Sequence, residues 1–121
     1  MFINCSNHKS SDWSQKQLEA AKEYGDVVDI AFPAVDPAST AEGLSEVADR
    51  LYEEIIKHAP DCVMCQGEFT LTYAVVSRLK RAGIKTVAAC SERRVEETQL
   101  EDGTTRKIAV FAFVGFREYQ A

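Results

Sequence analysis

Apolar residues fall along the chain in short blocks of two alternating kinds. Phe2-Ile3-Asn4-Cys5, Val27-Val28-Asp29-Ile30-Ala31-Phe32, Cys62 to Gln66 and Ile84 to Cys90 are brief and nearly continuous apolar runs. Runs of that length suit strands covered on both faces. Between them the spacing switches to the helical period. Leu18, Ala21 and Tyr24 share one face of a segment from about Ser14 to Tyr24, with Ser11 or Asp12 as its cap. Leu44, Val47, Ala48, Leu51 and Ile55 do the same between Ser39 or Thr40 and His58. A third helix is expected from roughly Phe69 to Ala82. Gly25, Pro60 and Gly83 end the three helices. Beyond Cys90 the pattern changes: Arg94 to Gln99 alternates, Glu101-Asp102-Gly103 signals a turn, and Thr105 to Phe116 is rich in β-formers. Val110 to Val114 is apolar at nearly every position, as a strand covered on both faces would be. The order β-α-β-α-β-α-β plus hairpin predicts an α/β fold. It is a Rossmann-like, open, mostly parallel sheet with helices on both faces and a C-terminal antiparallel hairpin.

Composition adds bounds. The 121 residues suit one domain, 1–121. Fourteen basic residues stand against nineteen acidic ones, a formal charge of −5, which excludes a broad basic face for long nucleic acid but not a small anionic ligand. No apolar run approaches membrane-spanning length and no leader pattern opens the chain, so a cytoplasmic protein without membrane contact is expected. Reduced thiols are expected at Cys5, Cys62, Cys65 and Cys90. Cys62 and Cys65 form a C-x-x-C, but three residues apart on a strand they face opposite sides, and no second pair completes a tetrahedral site. Neither a metal nor a cofactor is expected.

Ligands of open α/β sheets bind beyond the carboxyl ends of the strands. Three polar segments are expected there. The first is Ser6-Asn7-His8-Lys9-Ser10-Ser11, able to hold phosphate or ribose, with His8 placed for proton transfer. An ordinary capped loop is the plainer alternative. The second is Gln66-Gly67-Glu68-Phe69-Thr70-Leu71-Thr72, where glycine admits a ligand to the backbone, Thr70 and Thr72 add hydroxyls, and Glu68 is either a helix-start carboxylate or a catalytic or ribose-binding group. The third is Cys90-Ser91-Glu92-Arg93-Arg94, read as a loop whose arginines could clamp phosphate. Trp13, beside the first segment, is either core packing or a stacking surface for a base. The closing Phe116-Arg117-Glu118-Tyr119 reads as a docking or dimer contact.

Ser6-Asn7-His8, Trp13-Ser14 with Gln17, Phe32-Pro33 with Asp36-Pro37, Gly67-Glu68 with Thr70, and Phe116-Arg117-Glu118-Tyr119 together resemble a set of small CRISPR-associated proteins. The chain is similar to CARF (CRISPR-associated Rossmann fold) domains and to the stand-alone ring nucleases of type III antiviral systems. The resemblance implies a homodimer that binds a cyclic oligoadenylate, most often the tetramer, on its two-fold axis. It implies metal-independent cleavage in which a ribose 2′-hydroxyl attacks the adjacent phosphate. His8 would then be general acid or base, with Asn7, Ser6 and Ser11 orienting ribose and phosphate. Gly67 and Thr70 would donate from the helix start, Arg93 or Arg94 would neutralise charge, and Glu68 would meet a 2′-hydroxyl or an adenine amine. Gln66, Ser91, Lys9 and Trp13 complete the expected ligand contacts. Three alternatives stand beside it. One is a sponge or sensor that binds without turnover. Another is a deoxyribosyltransferase-like nucleoside enzyme with Glu68 as nucleophile, and the last is a regulatory subunit docking through its aromatic C-terminus.

Overall fold

The first strand, β1 (Phe2–Cys5), is buried at all four residues because it has a hydrogen-bonded neighbour on each edge and helices over each face. In the computed structural model, which describes residues 1–121, β1 is followed by a 3-10 turn (Ser10–Asp12) and helix α1 (Gln15–Lys22). Then come β2 (Val27–Asp29), α2 (Ala41–Ile56), β3 (Cys62–Cys65), α3 (Phe69–Arg81), β4 (Thr86–Gln99) and β5 (Thr105–Glu118). The sheet order is β2-β1-β3-β4-β5; the first four strands are parallel and β5 is antiparallel to β4. No helix is long and apolar enough to cross a membrane.

Strand alternation divides the core into two layers. Ile3, Cys5, Val63 and Cys65 point to one face and pack with Ala48, Leu51 and Ile55 of α2 and Leu71, Val75 and Leu79 of α3. Phe2, Cys62, Met64 and Val87 point to the other, against Ala21 of α1, Trp13, Tyr24 and Phe116. Phe2 is the hub of the second layer, with ring centroids 5.1 Å from Phe116 and 6.1 Å from Trp13. The two cysteines of the C-x-x-C therefore lie on opposite faces. Burial pushes the Cys62 thiol up to about 11, and on the other face the hydrogen bond between Cys65 and Cys5, with burial, raises the Cys65 thiol as well. Both stay protonated at neutral pH.

Four expectations differ from the structure. Helix α1 is capped by Ser14, whose side chain accepts from the Gln17 amide, while Ser11 and Asp12 belong to the preceding 3-10 turn. Strand β2 stops at Asp29 rather than Phe32, because Asp29 turns its carboxylate to the first loop and the chain then carries Phe32 inward to the core. The segment after β4 is no loop: Cys90-Ser91-Glu92-Arg93-Arg94 continues as strand, paired with Gly115 back to Val110. Antiparallel pairing needs no turn there, so the strand runs on as a two-stranded ribbon beyond the body of the sheet. For the same reason Val110–Val114 is not covered on both faces, and Phe111 and Val114 are 73% and 54% exposed.

The ribbon contains one irregularity. Pairing runs Cys90↔Gly115 and then Ser91↔Phe113, so Val114 is an extra residue in β5. A one-residue bulge reverses which face the following side chains occupy. It returns Phe113 and Phe111 to the α1 face, where Phe113 packs edge-on against Phe116 at 5.0 Å.

At Gly67 a Cβ atom would lie 2.5–2.7 Å from three ring atoms of the buried Phe32. Gly67→Ala is expected to cost about 1–3 kcal/mol through overpacking, measured by urea denaturation. An unchanged midpoint would mean that the ring moves aside freely.

Candidate functional site

In the strand order, β1 lies between β2 and β3, so the chain leaves β1 in one direction and returns to its other side after β2. The loops at the carboxyl ends of β1 and β3 thus separate across the sheet and open a crevice at the switch point. A cleft of about 440 Å³ lies there on the α1 face. Ser6 and His8 form one wall, and Asp12, Trp13, Ser14 and Gln17 form the second. Met64, Gln66 and Ala89 line its base, and Ser91, Phe111 and Phe113 of the ribbon close the far side. The aromatic residues of the ribbon reach it only because of the bulge.

The wall carrying His8 is held by a buried polar cluster. Asn4 is 2% exposed in the middle of an apolar strand, where an unpaired amide would be costly. Its Nδ2 donates to the His8 carbonyl at 2.7 Å and to Asp29 Oδ1 at 2.9 Å. Its Oδ1 accepts from Ser6 Oγ at 2.7 Å, and the same hydroxyl accepts from the His8 amide at 3.2 Å. Asp29 in turn accepts from the backbone amide and hydroxyl of Ser10, at 3.2 and 3.0 Å. These bonds fix the backbone of residues 6–10 and leave the exposed His8 imidazole at the cleft mouth. Opposite, Gln66 Oε1 accepts from the Ala89 amide and extends the β3–β4 edge past the last rung. That bond orients the side-chain amide and leaves its Nε2 hydrogens as donors at the cleft base.

The expected site residues do not all converge. Ser6, His8, Trp13, Gln66 and Ser91 line this cleft. Asn7 and Lys9 line a second one of about 340 Å³ on the other side of the same loop, between the ends of β1 and β2. Ser11 is exposed in the 3-10 turn and lines neither. Glu68 and Thr70 border a separate hollow beside Val35 to Leu44. There Glu68 is the cap of α3: its carboxylate accepts from the Thr70 amide at 2.7 Å, the Leu71 amide at 3.2 Å and the Thr70 hydroxyl. The donors expected from Thr70 and the helix start are thereby occupied, and the space over Gly67 is filled by Phe32. Strand alternation puts Arg93 on the face of Ser91 and Phe111, directly opposite Phe111 at the edge of the cleft, although it does not itself line it. Arg94 falls on the other face and pairs with Glu92 at 3.2 Å, while Arg93 forms no ion pair.

Asp12, Ser14, Gln17, Met64, Ala89, Phe111 and Phe113 line the cleft without having been expected there, and Asn4 and Asp29 brace its loop. Asn4 carried a signal, being a lone amide inside an apolar strand. The C-terminal segment is no free tail either. Phe116 packs on Phe2, and the Tyr119 hydroxyl donates to the Cys65 carbonyl at 2.8 Å, behind the switch point.

Fold and cleft together define a Rossmann-like α/β protein with a crevice at its switch point. The chain belongs to the uncharacterized protein MJ1673 family, matched over residues 1–117. No curated protein matches the sequence.

The capping bonds, first that from the Thr70 hydroxyl, hold the Glu68 carboxyl below its ordinary value of 4.5. A depressed carboxylate contributes stability that is present above its unfolded value and lost as the pH falls through the lower folded one. Glu68→Gln is therefore expected to lower Tm at pH 7, with the difference from wild type closing as the pH is taken below 4.5. Thermal melts of both proteins across that range check it, and a difference that persists at low pH would contradict the capping role.

Proposed function

We propose that this protein binds a cyclic oligoadenylate at the switch-point cleft and opens the ring without a metal, as the resemblance to CARF-type ring nucleases implies. The observation that carries the reading is the cleft's composition. It combines Trp13 and the exposed ring of Phe111, which offer stacking faces beside the buried Phe113, with a few hydrogen-bonding groups, the usual design of a nucleobase site. Asp12 is the one carboxylate on its walls and no lysine or arginine lines it. That balance suits a neutral base with an exocyclic amine: Asp12 accepts from the amine, and the Gln66 amide donates to a ring nitrogen. Phosphate belongs at the rim, beside His8 and within the field of Arg93.

In the proposed reaction a ribose 2′-oxygen attacks the adjacent phosphorus and the bond from phosphorus to the 5′-oxygen breaks. The products are a linear strand with a 2′,3′-cyclic phosphate and a 5′-hydroxyl. The 2′ proton leaves to a base and the 5′-oxygen gains one from an acid; His8 serves one of these transfers. The fixed loop backbone supplies positioning, which lowers the barrier by holding the 2′-oxygen in line with the breaking bond. A two-fold homodimer would present two such clefts to one ring. Glu68, the nucleophile that the nucleoside-enzyme alternative names, is engaged as a helix cap outside the cleft, which favours the ring-nuclease reading over it.

Incubation with cyclic tetra-adenylate in excess EDTA is expected to yield linear products by chromatography and mass spectrometry. His8→Ala is expected to slow cleavage by about 10²–10⁴-fold while leaving binding in place. A ring that is bound but stays intact would replace the nuclease reading with sequestration. A protein that does not bind it at all would overturn both.

A further inference from the structure

The two clefts beside the β1 loop share a wall. Ser6 and His8 line both of them, one on the α1 face and one between the ends of β1 and β2. Their chemistries differ. The first has the stacking rings. The second is lined by Asn7, Lys9 and Asp29, and Lys9 is exposed and has no ion pair. Asp29 stands at the carboxyl end of β2, where dinucleotide-binding sheets place an acid against a ribose hydroxyl. One hollow suits a base and its neighbour suits a sugar-phosphate.

Resting on the nucleotide reading above, we infer that the two clefts are adjoining subsites for one dinucleotide step, divided by His8. The base of one nucleotide occupies the aromatic cleft. The linking phosphate crosses the Ser6–His8 wall, and the sugar of the next nucleotide lies in the second cleft between Asn7 and Asp29. Lys9 neutralises the phosphate from that side. This arrangement accounts for a base site whose own walls carry no cation, since the charge is supplied across the divider. It also assigns Lys9 a role in reading the linkage rather than the base, and brings the phosphate to the imidazole.

Backbone amide NMR with two ligands separates the possibilities. Adenosine is expected to shift resonances of the first cleft, such as Trp13, Gln17 and Phe111. The 3′,5′-linked diadenylate ApA is expected to shift those and also Lys9, Ile30 and Ala31 of the second cleft. Lys9→Ala should weaken ApA by about 10- to 100-fold, the range for a lost charge-assisted contact, and leave adenosine unchanged. If ApA shifts only the first-cleft set, or Lys9→Ala leaves its affinity intact, the two-subsite inference falls while the base site stands. If neither ligand shifts the first-cleft set, the nucleotide reading itself falls.

Discussion

β1 has only four residues, yet it is paired on both edges and covered on both faces, and the placement of everything else follows from it. It comes first in the chain and lies inside the sheet, between β2 and β3. The crossover through α1 then builds outward to β2, and the crossover through α2 returns to β3 on the opposite side. With right-handed crossovers the two turns place their helices on opposite faces. The carboxyl ends of β1 and β3 are left side by side with their loops diverging. The cleft is a consequence of strand order before any polar residue is considered.

Two local features turn that crevice into a shaped site. Asn4 exchanges hydrogen bonds with the loop that follows its own strand, so a buried amide inside the core fixes the backbone on which His8 stands. The extra residue at Val114 shifts the alternation of β5, so Phe111 and Phe113 face the cleft instead of the opposite side. Neither feature is the one that most stabilises the sheet. Both cost regularity, an amide among apolar neighbours and a break in a ladder, and both act at the same end of the molecule. Local irregularity concentrated around one crevice is the pattern expected where a fold serves a ligand.

The parallel half of the fold was legible because long helical periods and doubly buried strands leave strong patterns. Gly25 and Gly83, at φ of 114° and 76°, mark two helix ends as their positions suggest. The ribbon was less legible. Its distal strands are solvated on both faces, so hydrophobic alternation carries little information there, and Ser91 to Arg94 has the composition of a loop. The site was half visible. Composition identified the first loop and Gln66, whereas Glu68 looked catalytic because a carboxylate at a helix start has the same sequence signature whether it binds a ligand or caps its own helix. The cleft's aromatic wall depends on one bulge, whose only mark in the sequence is Gly115 beside the extra residue.

Trp13 is the single tryptophan of the chain and lines the cleft, so its fluorescence reports directly on what enters. Titration of cyclic tetra-adenylate into the wild-type protein is expected to quench or shift that emission saturably, with the same midpoint as calorimetry. Binding by calorimetry with an unchanged Trp13 spectrum would place the ligand elsewhere, and no binding by either method would contradict the cleft as a nucleotide site.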